Sequence, residues 1–267
     1  MHSKMATVLG IDAAWTVTQP SGVALVAKRQ AAWQPVALSP SYQDFHARAA
    51  DTFGQNYTPD SFRPDATALL ASAQMLCGHR VSLVAIDMPL ARQPIVGRRP
   101  SDDAVSRAYG ARKCGTHSPS VMRPGPISDE LRAGFAKVGY PLRTTTISSP
   151  GLIEVYPHPA LAQLAHASER LPYKVSKASS YWPKSPTAER RILVLQDWAR
   201  IVGLLDAKIE GVEGALRPPA NAARGLELKS YEGMLDAVVC CWVGICALEG
   251  RANPFGDHES AIWIPNL

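Results

Sequence analysis

The sequence predicts an α/β or α+β domain built around a mixed sheet. Short β-prone runs crowd the first third of the chain, strands and helices interleave after it, and one late helix is apolar around nearly its whole circumference. Residues 7–11, 22–27 (GVALVA) and 33–38 read as strands, and turn residues Gln19, Pro20 and Ser21 separate the first two. Three consecutive strands with tight connections make a meander. Residues 42–53 and 64–77 follow with helical periodicity, Asp65 standing in the first turn of the second and Gly78 just past its end. Residues 81–86 then form a buried strand.

From residue 88 the pattern changes. Pro89, Pro94, Pro100, Pro119, Pro124 and Pro126 bracket one helix at 101–113, whose start is marked by Ser101, Asp102 and Asp103. Further on, 128–138 reads as a helix, 152–156 as a strand and 159–167 as a short helix. Residues 173–186, with two prolines and several serines and lysines, read as a surface loop. A long amphipathic helix covers 187–205, with a continuation to 216 open. The most apolar helix is 230–248, and a short strand at 261–264 closes the chain. One domain is expected over residues 1–267, with a Pro/Arg-rich helical insertion at about 88–150 and additional helices at about 159–225.

Composition excludes several classes. With 46% hydrophobic and 19% charged residues among 267, the chain is not disordered by composition. Its longest apolar stretch, 237–248, spans 12 residues, short of the roughly 18 to 20 that cross a bilayer. Residues 1–7 show no long apolar stretch behind a basic start, so no secretory signal and a cytoplasmic location are expected. Five cysteines, two of them the adjacent Cys240 and Cys241, make a disulfide framework improbable. Without any Cys-x-x-Cys pair, a zinc ribbon is also disfavoured.

The net charge is +5, and it is concentrated. Arg92, Arg98, Arg99, Arg107, Arg112, Lys113 and Arg123 face only Asp102 and Asp103 in residues 92–123, so that segment carries all of the +5. It is either a solvated helix with basic flanks or a surface that grips phosphates through bidentate arginines.

Four acids stand where apolar residues belong. Asp12 ends one apolar strand and Asp87 ends another, each at the C-terminal mouth where α/β sheets place ligand sites. Glu154 lies inside the apolar run LIEVY, and Asp236 lies on the most buried helix. Each has a bland alternative: Asp12 and Asp87 as turn residues, Glu154 as a solvent-facing edge residue, with the weakest alternative at Asp236. Glu232, one turn before Asp236, reads as a solvated first-turn acid. An isolated buried carboxylate costs several kcal/mol, so the group calls for a shared compensation. A hard divalent cation such as Mg2+ or Mn2+ supplies it, because such ions take carboxylate oxygens and keep waters for substrate phosphates. Such ions can activate water for phosphodiester displacement.

In order along the chain, GIDAAW, SGVALV, VAIDMPL, a basic helix carrying Arg99, Asp103 and Arg107, IEVYPHPAL, YEGMLDAVVCCW and AIWIP resemble the family called domain of unknown function 429. That family is described as predicted nucleases with an RNase H-like fold. The resemblance spans about residues 8–265. It implies a mixed five-stranded RNase H-like sheet flanked by helices, with Asp12, Asp87 and Asp236 as metal ligands and Glu154 as a fourth catalytic acid. Better-known RNase H-like nucleases carry their second acid on the first helix after the meander. Here that stretch offers only Asp44, Asp51 or Asp65, so Glu154 substitutes for it or the site holds one metal.

The function expected is a Mg2+- or Mn2+-dependent nuclease whose substrate, DNA or RNA, is gripped by Arg99, Arg107, Arg112 and Lys113. His158, just past Glu154, either contacts phosphate or is a turn histidine between prolines. Tyr173 and Lys174 either contact an anion or, the more ordinary reading, form an exposed loop pair. Two alternatives share the superfold. Actin-like kinases also end their first strand in Gly-Ile-Asp, but here Ala13, Ala14 and Trp15 fill the turn that would admit ATP phosphates. A non-catalytic nucleic-acid-binding protein predicts salt-sensitive binding with no metal dependence.

Overall fold

The structure is a computed structural model that describes residues 5–51, 63–220 and 223–266. β1 (Thr7–Asp12), β2 (Gly22–Arg29) and β3 (Ala32–Ser39) form the antiparallel meander. α1 (Tyr42–Ala49) and α2 (Ala66–Cys77) follow, and β4 (Leu83–Asp87) then enters parallel to β1. Ser41 caps α1 and Asp65 caps α2, each through its side chain. Phe53, the expected end of the first helix, lies outside the described residues.

The excursion after β4 holds α3 (Pro100–Tyr109) and α4 (Pro126–Lys137), both started by a proline whose missing N–H costs nothing there. β5 (Gly151–Val155) returns beside β4 and is followed by α5 (Pro157–Leu164). The segment expected to be a plain surface loop contains a 3-10 turn (Val175–Lys177) and the one-turn α6 (Ala178–Tyr181), and its first residue, Tyr173, is fully buried. α7 (Thr187–Asp206) ends where expected. A turn through Gly211 separates it from the short α8 (Val212–Ala215), so the helix does not continue. α9 (Gly225–Leu248), β6 (Ala252–Gly256) and β7 (Ala261–Pro265) complete the order.

The sheet has seven strands in the order β3-β2-β1-β4-β5-β7-β6, which corrects the expected five. β7 adds parallel to β5, and β6 pairs antiparallel with β7. The unexpected strand, β6, reads ANPFG, a turn-like sequence. Its proline is tolerated because β6 lies at the sheet edge, where a missing N–H breaks no interior ladder.

Alternate strand residues feed two cores on opposite faces. Val8, Leu83, Ala85 and Ile153 pack with α5, α7 and α9, whereas Leu9, Ile11, Val84 and Ile86 pack with α1, α2 and α4. By length and composition α9 is sufficient to cross a membrane, yet 89% of its apolar window is buried inside this fold. It lies almost on the sheet because Gly10 and Gly22 carry no side chain. A Cβ at Gly10 would collide with the Ala237 carbonyl, and one at Gly22 with the Gly233 carbonyl. That close approach sets Asp236 over the ends of β1 and β4. Four of the five cysteines are buried, Cys77 is half-buried, and all five are free thiols, consistent with small apolar packing residues.

Candidate functional site

Asp12 and Asp87 are register partners at the C-terminal ends of the parallel pair β1 and β4. Asp236 approaches them from α9 and is 0% exposed. One carboxylate oxygen from each of the three lies within 4.8 Å of the others. Burial, and then Asp236, pushes the Asp12 carboxyl up to about 7. Burial, and then Asp12, holds Asp87 well above the usual carboxylate range, and burial also raises Asp236. Neither Asp12 nor Asp87 has a side-chain hydrogen-bond partner among the described residues. Three hard oxygen donors, crowded, mutually repelling and two of them unpartnered, fit a divalent cation.

One edge of the cluster is already neutralised. Lys174 Nζ donates to Asp236 Oδ2 and lies 3.5 Å from Glu232 Oε1, while the Tyr173 hydroxyl donates to Asp236 Oδ1 at 2.7 Å. Burial opposes the Lys174 charge, but Asp236, Tyr173 and Glu232 outweigh it and hold the ammonium well above its usual range. Glu232 is buried, not solvated. It accepts from Lys229 Nζ at 2.7 Å and from the Val175 N–H at 2.8 Å. The strap bearing Tyr173 and Lys174 is fixed in turn by Trp198, whose indole N–H donates to the Tyr173 carbonyl at 2.8 Å.

A family model described as a protein of unknown function (DUF429) matches residues 10–261. The chain belongs to the DUF429 family. No curated protein and no solved structure matches it. In this DUF429 chain the matched span contains the triad, its lysine strap and every other acid singled out above.

Glu154 does not join the triad. It is 3% exposed and accepts from Arg99 Nη1 at 2.6 Å, Arg99 Nη2 at 2.8 Å and the Leu90 N–H at 2.7 Å. Arg99 also binds Asp102 at 2.9 Å and the Leu90 carbonyl at 2.8 Å, a closed buried network. Burial disfavours the Arg99 charge, but Glu154 and Asp102 overcome it and keep the guanidinium above its usual range. Arg99 is thus a structural clamp joining β5 to the loop after β4, not an exposed phosphate grip.

The other basic residues of the DUF429 insertion are largely engaged as well. Arg98 pairs with Asp103 at 2.5 Å, and Lys113 pairs with Glu169. Arg112 donates to the Ala162 carbonyl at 3.2 Å and the Ala167 carbonyl at 2.5 Å, and Arg92 donates to the His258 carbonyl at 2.7 Å. Arg107 is exposed and has no partner among the described residues, and Arg123 lies over the Trp15 ring at 5.9 Å. Trp15, Asp87, His117 and Tyr156 line a small cavity of about 50 Å³ at the mouth of the sheet.

His158 occupies the first turn of α5, 7% exposed, with its ring edge-on to Tyr156 and Tyr173 at centroid distances of 5.4 Å. It is neither a solvated turn residue nor in direct contact with the triad. The residues that sequence reasoning missed are Tyr173, Lys174 and Glu232. Glu232 had a usable signal, its place one turn from Asp236 on an apolar helix. Lys174 had none, because it reaches Asp236 across 62 residues of chain.

Proposed function

We propose that this protein is a divalent-metal-dependent phosphodiester hydrolase acting on nucleic acid, with an RNase H-like core. The observation that carries the reading is the meeting of Asp12, Asp87 and Asp236 at the ends of β1, β4 and the close-packed α9, with two of the three carboxylates unpartnered. The segment β3-β2-β1-β4-β5, antiparallel through β1 and parallel after it, supports the core assignment.

Asp12, Asp87 and Asp236 would hold one Mg2+ or Mn2+. When bound, the ion supplies Lewis acidity and a water activated for attack on phosphorus. A single ion is favoured by the company of the triad. Asp12, Asp87, Asp236 and Glu232 oppose Lys174 and Lys229, leaving two uncompensated negative charges if all are ionised. Glu154 accepts three hydrogen bonds and Glu232 two, all from protein donors, so a second ion would have to displace contacts that hold them in place. Lys174 keeps its proton, holds Asp236 in place together with the Tyr173 hydroxyl, and offsets the repulsion that an incoming phosphate meets at the carboxylates.

The test is cleavage of single-stranded DNA, duplex DNA, RNA and hybrid over a Mn2+ and Mg2+ titration, run beside Asp236→Asn. Wild type cleaves one or more substrates only with metal, and the variant cleaves none. Undiminished cleavage by Asp236→Asn sinks the proposal. Salt-sensitive binding with no cleavage at any metal concentration replaces it with a non-catalytic binder, and ATP-dependent thermal stabilisation without cleavage replaces it with a kinase.

A further inference from the structure

A second cavity, of about 770 Å³, opens between the 3-10 turn and α6, the first half of α7 and the start of α9, and no member of the triad lines it. Its volume is that of a site for a small organic ligand. Val194 and Leu228 are its buried lining residues, Val175 and Leu195 are half-buried, and Ile192 is 55% exposed. Aliphatic surface is thus left open on α7 where the 3-10 turn and α9 do not cover it. No aromatic and no acidic side chain lines the cavity.

Its charged lining is entirely cationic. Arg190 and Arg191, consecutive on α7, are both half-buried. Arg190 donates from Nε to the Trp182 carbonyl at 2.9 Å and from Nη2 to the Pro183 carbonyl at 3.2 Å, and Arg191 donates from Nη2 to the Ala220 carbonyl at 3.3 Å. Both Nη1 groups and the Arg191 Nε have no partner among the described residues. The carbonyls hold the guanidiniums in place without neutralising them, and neither arginine forms an ion pair among the described residues. Arg224 adds a third cation at the head of α9, where it donates to the Ala223 carbonyl at 3.0 Å. Three cations around an apolar cavity that offers no acid favour an anion inside it.

The lining also selects the body of the ligand. A nucleobase takes its binding energy from an aromatic face, and this cavity has none. An aliphatic chain takes its own from burial against aliphatic side chains. We propose that the cavity binds an amphiphile with one aliphatic chain and an anionic head. The chain lies against Val194, Leu195 and Leu228, and the head, a carboxylate or a phosphate, meets the unpartnered nitrogens of Arg190 and Arg191. The site is separate from the metal centre and does not rest on the hydrolase reading.

The test is a calorimetric titration of the full chain in EDTA with decanoate below its micellar concentration, beside octanoate, decyl phosphate and the uncharged decyl maltoside. Wild type binds decanoate saturably, octanoate about tenfold more weakly for its two missing methylenes, and decyl maltoside at least tenfold more weakly. Decyl phosphate also binds, and the tighter of the two decyl anions identifies the head. Arg190→Gln combined with Arg191→Gln weakens decanoate binding at least tenfold. Ile192→Glu changes an exposed position and so keeps the fold, and it weakens binding severalfold. Met75→Glu on α2, 66% exposed and outside the cavity, leaves binding unchanged. No saturable binding of either decyl anion, equal affinity for decyl maltoside, equal affinity in wild type and either cavity variant, or an equal loss in Met75→Glu overturns the site. Arginine-dependent binding of an oligonucleotide without any binding of decanoate overturns it too, and replaces the amphiphile with a nucleic-acid strand. Because EDTA removes divalent ions, none of these outcomes depends on the triad.

Discussion

Replacing Asp12 by asparagine removes one of three repelling carboxylates while keeping its shape. The Asp12 carboxyl is raised from the ordinary 3.8 to about 7, which at about 1.4 kcal/mol per pH unit is an upper bound of about 4 kcal/mol against folding once the group is ionised. The sign follows from proton binding. Between pH 3.8 and about 7 the folded chain retains a proton that the unfolded chain has released, so stability falls as pH rises through that window and levels off above it. An asparagine amide must still be desolvated, which returns roughly half of the gain. Asp12→Asn should therefore be about 2 kcal/mol more stable than wild type at pH 8.5 in EDTA, a rise of about 4 to 8 °C in Tm. Near pH 4, where Asp12 is itself neutral in the folded chain, the same amide cost should leave Asp12→Asn about 2 kcal/mol less stable than wild type. Calorimetric melting of both proteins at pH 4, 5.5, 7 and 8.5 in EDTA reads it. Asp87 acts in the same direction and Glu232 in the opposite one, and because Asp12 itself raises Asp87 the difference between the proteins reads the Asp12 charge together with the relief of Asp87. An Asp12→Asn protein that melts below wild type at pH 8.5, or a difference that does not grow with pH, refutes the reasoning.

Three further outcomes follow from the packing. Arg99→Met leaves Glu154 and Asp102 buried without their cation, and urea unfolding should show a loss of about 3 to 5 kcal/mol, against less than about 0.5 for Arg107→Gln. Gly22→Ala forces α9 away from the Gly233 carbonyl contact, so it should cost about 3 kcal/mol or more and weaken Mn2+ binding by displacing Asp236. Lys174→Met removes the cation from Asp236 and Glu232, so it should lower Tm in EDTA and enlarge the Tm gain on adding Mn2+. Equal Mn2+-induced gains in Lys174→Met and wild type would show that Lys174 and the metal do not share the same carboxylate.

The triad was legible because each of its members interrupts an apolar pattern. Asp12 and Asp87 each end a strand whose interior is buried, and the register of β1 with β4 turns two separate interruptions into neighbours. Asp236 stood out because its helix offers no polar face. The meander, β4, β5 and most helices were legible for the same reason, since local periodicity and burial agree along them. β6 was not, because an edge strand can carry Pro254 and the sequence does not say which strand is the edge. The charge of residues 92–123 was visible, but its commitments were not. Arg99 finds Glu154 across 55 residues and Arg112 finds Ala167 at the same separation, contacts that only tertiary packing specifies. Tyr173 and Lys174 were hidden by loop-like composition. Their burial comes from Asp236 and Trp198, each distant in sequence.

A calorimetric Mn2+ titration of the chelator-stripped protein, beside Asp87→Asn, tests the triad most directly. Asp87 makes no other polar contact among the described residues, so its loss should act on the ion and leave the fold intact. Wild type should bind a single Mn2+ per chain saturably, and Asp87→Asn should lose that binding while melting no lower than wild type in EDTA. Absence of Mn2+ binding by wild type, or equal binding by the variant, would contradict a metal centre at Asp12, Asp87 and Asp236.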